Sequence, residues 1–284
     1  MSNKKNYILA CDIGGTHITS AIVVEDTWEI LPNTIKRFSF NSQENAKSIF
    51  QYWAGNIQNC LNEFDKEIKQ IGIAMPGPFD YENGIALMKG QNKYDSIYKL
   101  NTTEGILSGL KNKHVEIRYI NDAAAFLQGE IFAAKRNNED RILGITLGTG
   151  LGSAVWSSKA KAIDADLWNS PYKRKIFEEY LVTRWFVSRF LALSGFKENG
   201  FKEIVQNHKN TEEFEQLLVE YRTHLKDFLH FFSKKHACKK FIIGGNIAKA
   251  WALINKDHYF GDFEISVGQY EEKAAIIGAA SLFQ

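Results

Sequence analysis

Four groups of polar residues and glycines, each following an apolar run, are the parts of this 284-residue chain best suited to chemistry. They are Asp12–Thr16 (Asp-Ile-Gly-Gly-Thr), Asn121–Asp122, Gly148–Gly150 and Gly244–Asn246. In open α/β sheets, ligands bind at the carboxyl ends of the strands, where these groups are predicted to lie. Adjacent glycines let the backbone approach a ligand and aim N–H groups at an anion, and a nearby aspartate can steer a metal ion bound to phosphate. Together the four groups favour a site for a long, phosphorylated ligand.

Each group also has a purely structural interpretation, which the spacing alone leaves open. The Gly14-Gly15 turn is compatible with an ordinary hairpin, and Asn121 and Asp122 are both good helix N-caps. Two familiar nucleotide sites are excluded, because the chain has no G-x-x-x-x-G-K-[ST] sequence and because the Gly148 turn reads G-x-G-x-G before a predicted strand. What remains is phosphate held by two β-hairpins.

Hydrophobic periodicity predicts the elements that must position these groups. Strands are predicted at 7–11, 18–24, 34–40, 70–75, 116–120, 141–147, 153–156, 240–243 and 263–267. Helices are predicted at 49–64 after an Asn41–Glu44 capping box, and at 103–110, 123–134, 176–193, 214–232, 247–253 and 271–282. The stretch 79–100 shows no clear period and is predicted to be a long loop that could include short strands, and 157–175 is polar and irregular. Strands that alternate with helices predict the α/β class, and the second hairpin echoes the first in sequence, which favours two related halves.

Composition limits the functional classes. The apolar content of 44% and charged content of 24% are typical of a soluble globular protein, and the net charge of +2 argues against nucleic-acid or anionic membrane partners. The three cysteines lie far apart and form no metal-binding or disulfide pattern. There is no secretory leader and no apolar run near 20 residues, so we expect a cytoplasmic protein.

Five motifs, in this order, resemble those of the ROK sugar kinases, which share the actin-like ATPase fold. The first phosphate motif corresponds to Asp12–Thr16, the Pro-Gly sugar-side loop to Gly72–Pro78, the N-D-A-N-A element to Asn121–Ala125, the second phosphate motif to Leu147–Gly152 and the adenosine motif to Gly244–Ile247. The resemblance covers essentially the whole chain.

The resemblance implies a two-lobed actin-like ATPase (ribonuclease-H-like) fold with a central cleft. No Pro/Gly/Ser-rich linker marks a boundary, and we expect the chain to cross between lobes near residue 121. The smaller lobe would comprise 1–120 with the C-terminal helix 270–284, and the larger lobe 121–269. A homodimer is also implied.

By the same resemblance, Asp122 is the general base that takes the proton of a sugar hydroxyl as it attacks the γ-phosphate of ATP. Asp12 would stand near Mg²⁺ through water, while Gly77, Asn121 and Asp122 would contact the sugar. The residues implied to bind ATP are Asp12, Gly14, Gly15, Thr16, Gly148, Thr149, Gly150, Gly244, Gly245 and Asn246.

The stretch after the second phosphate motif departs from the family. A G-E-x-G-H motif and a cysteine-rich zinc segment are usual there, whereas this chain has Asp164–Asn169 and then Pro171–Glu179. We therefore predict no structural zinc. Asp166 and Asn169 stand where Glu-x-Gly-His would be, although a solvated loop explains them equally well. Phe177–Tyr180 resembles the family's L-E-x-Y, which makes Glu178 the better candidate for a sugar contact.

The resulting hypothesis is an ATP-dependent kinase that phosphorylates a hexose or N-acetyl-hexosamine at the 6-hydroxyl. The altered G-E-x-G-H region keeps open an alternative, a non-catalytic sugar sensor of the same family. A third possibility, an actin-like ATPase acting as a chaperone or filament, fits less well with Pro76-Gly77 and Asn121-Asp122 occurring together.

Overall fold

The computed structural model describes residues 5–158 and 160–284, which form two compact units. Unit 1 contains the described residues up to Asn138 together with Lys161–Ile163 and Glu272–Gln284, and unit 2 contains Glu139–Ala160 and Asp164–Glu271. Of the helices in the described part of the chain, none combines the length and the apolar character that crossing a bilayer requires.

Unit 1 is built on a sheet with the strand order β3-β2-β1-β4-β7. The strands in this part of the chain are β1 (Tyr7–Ile13), β2 (His17–Val24), β3 (Lys36–Ser39), β4 (Gln70–Met75), β5 (Phe79–Asp80), β6 (Ile85–Ala86) and β7 (Glu116–Asn121). The helices are α1 (Ala46–Asn62), α2 (Thr102–Gly109), α3 (Asp122–Ala133) and the C-terminal α9 (Glu272–Ala280). β1, β2 and β3 pair antiparallel, whereas β1, β4 and β7 run parallel, as the βαβ pattern predicts.

Helix α1 covers the sheet of unit 1 and begins later than the capping box predicts. Asn45 is its N-cap, because the Asn45 side chain accepts a hydrogen bond from the N–H of Ser48 at 3.0 Å. Asn41 instead accepts from the N–H of Gln43 at 3.0 Å and forms a local turn. The predicted Asn41–Glu44 box is therefore wrong, since the chain needs another turn before the apolar face of α1, which includes Trp53, reaches the core.

Unit 2 contains most of a second sheet, with the order β10-β9-β8-β13-β14. The remaining strands are β8 (Arg141–Leu147), β9 (Leu151–Ser157), β10 (Ala160–Asp164), β11 (Pro171–Tyr172), β12 (Lys175–Ile176), β13 (Lys240–Gly244) and β14 (Glu264–Val267). The remaining helices are α4 (Glu178–Leu181), α5 (Thr183–Ser194), α6 (Phe201–His208), α7 (Glu212–His236) and α8 (Trp251–Ile254). The apolar stripe predicted for 214–232 lies on α7 and is buried.

The single helix predicted for 176–193 is interrupted at Val182, which has extended backbone angles (φ −112°, ψ 170°). The break has a tertiary cause: the N–H of Thr183 donates to the carbonyl of Gly148 at 2.8 Å instead of continuing the helix. The irregular stretch 157–175 likewise contains β10 and β11. These strands are short, and their residues show no alternation of apolar and polar side chains that would predict them.

Helices α3 and α9 approach each other backbone to backbone. A Cβ atom on Gly129 would lie 1.8 Å from the carbonyl oxygen of Ala274, and one on Gly278 would lie 1.9 Å from that of Ala125. Since real Cβ contacts are far longer, this approach requires glycine at both positions. The packing groups α3 with unit 1, so the division by contacts falls after Asn138, whereas the sequence prediction drew it before residue 121.

We predict opposite effects for two glycine-to-alanine substitutions in helices. Gly129→Ala should lower the free energy of unfolding by about 1–3 kcal/mol or more, because the new methyl group forces α3 and α9 apart. Gly55→Ala in α1, where a Cβ would meet nothing within 4 Å, should raise it by about 0.5–1 kcal/mol through helix propensity. Urea unfolding of both variants measures the difference, and equal effects would contradict the close helix contact.

Candidate functional site

The parallel register of β1, β4 and β7 gathers the predicted residues of unit 1 at one edge of its sheet. Asp12 pairs with Ala74, and Met75 pairs with Asn121, so the three strands end side by side. Asp12, the turn that contains Gly77, and the Asn121-Asp122 pair therefore leave the sheet together. The carboxyl edge of a parallel sheet is the expected position for a ligand site.

In the turn between β1 and β2, the protein itself uses the carbonyl groups of Gly14 and Thr16. The carbonyl of Gly14 accepts from the buried hydroxyl of Tyr94, and the carbonyl of Thr16 accepts from the N–H of Phe40 at 2.9 Å. Among the described residues, no acceptor is in place for the N–H groups of Gly15 and Thr16. Two outward N–H groups in one turn are suited to an anion.

Turn geometry does not explain the glycines of this hairpin. Neither Gly14 nor Gly15 has a positive φ, and a Cβ would come no closer than 3.4 Å to the His17 ring at Gly14 and 3.9 Å to Lys93 at Gly15. Alanine would therefore fit both positions. The bare backbone leaves a surface that a ligand can approach closely, which favours the phosphate interpretation over the ordinary hairpin.

The carboxyl group of Asp12 is held in an unfavourable electrostatic environment. Desolvation by burial, and then repulsion from Asp122 and Glu272, raise the pKa of Asp12 from 3.8 to about 7, while Arg37 acts in the opposite direction. A nearby divalent cation would relieve the repulsion between the two carboxylates. Asp12 is therefore a suitable ligand for Mg²⁺, which binds one or two carboxylates together with water and phosphate.

Asn121 is the N-cap of α3. Its Oδ1 accepts from the N–H groups of Ala123 and Ala124 at 2.9 and 3.1 Å, and its Nδ2 donates to the hydroxyl of Tyr81 at 3.2 Å. That hydroxyl donates in turn to the carbonyl of Met75 at 3.1 Å. The structural interpretation of Asn121 as a cap is thus confirmed, and one hydrogen of its amide remains for a ligand.

Asp122 is the first residue of α3 and faces solvent at the same edge. Its Oδ1 accepts from the N–H of Ala123 at 2.8 Å. Protein atoms nevertheless surround the carboxyl group closely, and this desolvation raises the pKa of Asp122 more than the Ala123 N–H and the Lys93 ammonium lower it. A carboxylate made more basic in this way is better able to accept a proton. Gly77 lies nearby, because a Cβ there would be 3.2 Å from the hydroxyl of Tyr81.

The hairpin between β8 and β9 repeats this arrangement within unit 2. The carbonyl of Gly148 accepts from Thr183 through both its N–H (2.8 Å) and its hydroxyl (2.9 Å), that of Thr149 accepts from Arg184 at 3.3 Å, and that of Gly150 accepts from the N–H of Gly148 at 3.2 Å. Within residues 5–158 and 160–284, the N–H groups of Thr149 and Gly150 have no acceptor. A Cβ on Gly148 would meet nothing within 4 Å. The second turn is therefore also an open surface of donors.

Glu178 stabilises the hairpin between β8 and β9 through hydrogen bonds. Its Oε2 accepts from the N–H of Leu151 at 3.0 Å, and its Oε1 accepts from Arg184 at 2.9 Å. Arg184 also donates to the carbonyl of Thr149, so Glu178 and Arg184 bind the backbone of the turn at Leu151 and at Thr149. Both carboxylate oxygens of Glu178 are thus engaged with the protein, and its sugar contact stays a prediction.

Gly244–Asn246 and Asp166 are the other predicted residues in unit 2. Gly244 pairs with Thr146 of β8, and Gly245 has φ +88°, with a Cβ position 2.3 Å from the carbonyl oxygen of Leu147. The adenosine motif therefore lies directly beside the second hairpin, with Asn246 exposed. Asp166 is exposed on the loop before α4 and accepts from the indole N–H of Trp168 at 2.9 Å.

Within the described residues, no three or more His, Cys, Asp and Glu side chains form a group that could hold a metal ion unaided. A Mg²⁺ ion beside Asp12 would therefore depend on water and on phosphate for most of its ligands. The predicted lack of a zinc site stays a prediction.

Sequence reasoning missed several residues that shape these two surfaces. Thr183 and Arg184 fall inside a predicted helix, where they look like ordinary surface residues. Tyr81, Lys93 and Tyr94 fall in the aperiodic stretch 79–100, where no spacing rule applies. Only the fold brings these side chains to the turns.

Comparison with known proteins gives a consistent result. The sequence model of the ROK family matches residues 8–163. The chain is 27% identical over 156 residues to a glucokinase from Thermotoga maritima, and 26% identical over 148 residues to an N-acetyl-D-glucosamine kinase from Mannheimia succiniciproducens. These alignments cover 53% and 51% of this chain and 44% of each relative, so the match spans less than half the length of either relative.

Solved structures resemble the chain over nearly its whole length. A putative sugar kinase from Cytophaga hutchinsonii superposes with a TM-score of 0.78 at 20% identity, covering 98% of this chain and 99% of that one. A ROK family glucokinase from Streptomyces griseus, solved with glucose and AMPPNP, superposes with a TM-score of 0.73 at 18% identity, with coverage of 98% and 99%. At these identities the likeness establishes the fold, and the predicted α/β, actin-like ATPase class is confirmed.

We predict that Gly148→Ala weakens nucleotide binding without weakening the fold. The methyl group has space in the free protein but occupies the surface beside the free N–H groups, so the Kd for ATP should rise about tenfold or more (at least ~1.4 kcal/mol). Titration calorimetry measures the Kd, and thermal unfolding shows that stability is unchanged. Gly55→Ala is the matched control, and a Gly148→Ala variant with normal affinity would contradict an open phosphate surface.

We predict that Asp12 makes stability fall as pH rises from about 4 to about 7. In this window the unfolded carboxyl group has lost its proton while the folded one retains it, so each rise in pH favours the unfolded chain. The effect is at most on the order of 4 kcal/mol, at about 1.4 kcal/mol per pKa unit. Denaturant unfolding between pH 5 and 8 should show wild type losing stability relative to Asp12→Asn.

The same experiment with Mg²⁺ tests the cation site. At pH 8, Mg²⁺ should raise the stability of wild type more than that of Asp12→Asn, because only the carboxylate has repulsion to relieve. Parallel pH curves for the two proteins, with equal responses to Mg²⁺, would show that Asp12 is an ordinary surface carboxylate.

Proposed function

Since this chain belongs to the ROK family, we propose that it transfers the γ-phosphate of ATP to a hexose or N-acetyl-hexosamine, at the 6-hydroxyl, with Asp122 as general base. The observation that carries the proposal is that a basic carboxylate and a turn with free N–H groups share one sheet edge. Asp122 follows β7 and the Gly15–Thr16 N–H groups follow β1, two parallel strands of this sheet with β4 between them. A site for phosphoryl transfer needs both an acceptor for the proton and donors for the phosphate.

In the proposed reaction, the sugar hydroxyl oxygen forms a bond to the γ-phosphorus, and the bond from that phosphorus to the β,γ-bridging oxygen breaks. The hydroxyl proton passes to the Asp122 carboxylate, whose raised pKa favours the transfer. ADP is the leaving group. Asn121 fixes the start of α3 through its two hydrogen bonds and so holds Asp122 in position.

The other residues have supporting roles. Gly14, Gly15 and Thr16 in one hairpin, and Gly148, Thr149 and Gly150 in the other, would bind the phosphates through N–H groups, with Gly244, Gly245 and Asn246 next to the adenosine. Mg²⁺, held near Asp12 through water, would supply positive charge for the phosphate oxygens. Gly77, Asn121, Asp122, Glu178 and Asp166 are the proposed sugar contacts.

The choice of substrate is supported by the named relatives, a glucokinase and N-acetyl-D-glucosamine kinases. We extend their substrate class to this chain, together with a homodimeric state and a cytoplasmic location. Light scattering of the purified protein tests the dimer directly.

The proposal is tested by measuring ADP release from Mg-ATP across a panel of hexoses and N-acetyl-hexosamines. Turnover that depends on one of these sugars supports the kinase. Sugar binding without turnover would instead support the non-catalytic sensor, and ATP hydrolysis that ignores the sugar would support an actin-like ATPase. NMR of the ¹³C-labelled product identifies the hydroxyl that is phosphorylated.

We expect Asp122→Asn to lower kcat by about 10²-fold or more and to leave sugar affinity within about threefold. The amide preserves the shape and can still accept a hydrogen bond from Ala123, but it cannot take the proton. Asp65→Asn, at an exposed position of unit 1, is the control and should be silent. Near-normal turnover in Asp122→Asn would remove Asp122 from the role of base.

A further inference from the structure

Lys93 is a half-buried lysine beside the first phosphate turn that the proposed mechanism does not use. Its Cδ lies 3.9 Å from the Cβ position of Gly15. In the described part of the chain, its ammonium has no hydrogen bond or ion pair. Two other lysines of the same loop, Lys89 and Lys99, instead lie over the ring of Tyr98 at 5.0 and 5.4 Å. Lys93 is partly desolvated, but unlike Lys89 and Lys99 it has no ring of a described residue beneath its ammonium group.

The backbone on both sides of Lys93 is strained. Asn92 and Tyr94 both adopt left-handed conformations, with φ values of 56° and 63°. Such conformations cost on the order of 1 kcal/mol each for residues other than glycine, and they persist only where the surroundings enforce them. Lys93 thus lies between two residues whose uncommon backbone conformations are held by their surroundings.

The surroundings that enforce the strain are the first hairpin and α1. The Tyr94 side chain is fully buried, its hydroxyl donates to the carbonyl of Gly14, and its ring packs edge-on against Trp53 at 5.5 Å. The N–H of Tyr94 donates to the carbonyl of Ser42 at 2.9 Å, and Gln43 donates to the carbonyl of Asn92 at 3.1 Å. The residues on both sides of Lys93 are therefore anchored, and Tyr94 is anchored to the turn whose N–H groups are free.

Two other basic residues of the described chain near the turn, Arg37 and His17, do not offer a free positive charge. Arg37 is paired with Glu272 at 2.7 Å. Burial and the nearby Arg37 lower the pKa of His17, so its ring is neutral at pH 7. Lys93, in contrast, is close enough to Asp122 to lower the pKa of that carboxyl group. Its ammonium thus lies within electrostatic reach of both the proposed base and the phosphate turn.

We propose that Lys93 binds the phosphoryl group that is transferred and neutralises its charge in the transition state. The inference rests on the proposed function, because the group next to Asp122 in that reaction is the γ-phosphate. Electrostatic stabilisation of the oxygens that gain or redistribute charge is usually the largest contribution that a protein makes to this kind of reaction, and a lysine ammonium can supply part of it.

The test compares Lys93→Met and Lys93→Arg with Lys89→Met, a control in the same loop. Lys93→Met should lower kcat/KM by about 10²-fold, Lys93→Arg should retain most of the activity, and Lys89→Met should match wild type. Binding of AMPPNP and of ADP is measured separately by calorimetry with Mg²⁺. Lys93→Met should weaken AMPPNP about tenfold and leave ADP within about twofold, because only AMPPNP carries the third phosphoryl group.

Three results would overturn the inference. One is a Lys93→Met variant with wild-type kcat/KM and wild-type AMPPNP affinity. Another is an equal loss of affinity for AMPPNP and ADP, which would assign Lys93 to a different part of the nucleotide. The third is a Lys93→Met variant with unchanged AMPPNP affinity whose pH–rate profile has its acid limb at higher pH. This result is expected if Lys93 acts only by lowering the pKa of Asp122. If wild type turns over no sugar, the proposed function fails, while the AMPPNP and ADP comparison still decides whether Lys93 meets the third phosphoryl group.

Discussion

The close packing of α3 against α9 is the constraint on which the sheet edge that carries Asp12 and Asp122 depends. Gly129 and Gly278 allow each helix to contact the backbone of the other, which fixes the depth of α3 behind the sheet. Because Asp122 is the first residue of α3, that depth also sets the position of its carboxylate. Asn121 then joins helix to strand, since it ends β7, caps α3 and contacts Tyr81. The packing of α3 against α9 therefore determines where the carboxylate of Asp122 lies.

Electrostatics at this edge are unfavourable in the free protein. Asp12 and Asp122 are both partly desolvated and repel each other, and the hydrogen bonds available to them do not offset this. The left-handed backbone conformations of Asn92 and Tyr94, on both sides of Lys93, are a further local cost. Such local costs are typical of functional sites, where a bound ligand supplies the missing partners. These properties of the edge suit the proposed ligand, which carries both a cation and phosphate oxygens.

The sequence alone predicts much of this fold and part of the site. Buried strands followed by glycine turns are strong local signals, so the α/β class, the family and the two hairpins are confirmed. Two local predictions are wrong for different reasons. Asn45 caps α1 in place of Asn41, one turn later than the capping-box pattern predicts, and a contact between Thr183 and the distant Gly148 interrupts a predicted helix at Val182. Lys93 and Tyr94 could not be found, since their importance comes from contacts to Gly14 and Gly15 nearly 80 residues away in sequence.

The bracing of the second hairpin limits the kind of molecule that it can hold. Thr183, Arg184 and the turn's own N–H use the carbonyl oxygens of Gly148, Thr149 and Gly150, so the backbone of this turn presents free donors. A bare cation needs acceptor atoms from the protein and gains little from such a backbone, whereas a group with several acceptor oxygens can meet both free N–H groups. If the hairpin holds phosphate as proposed, its contribution to binding depends on the number of acceptor oxygens that the ligand presents there.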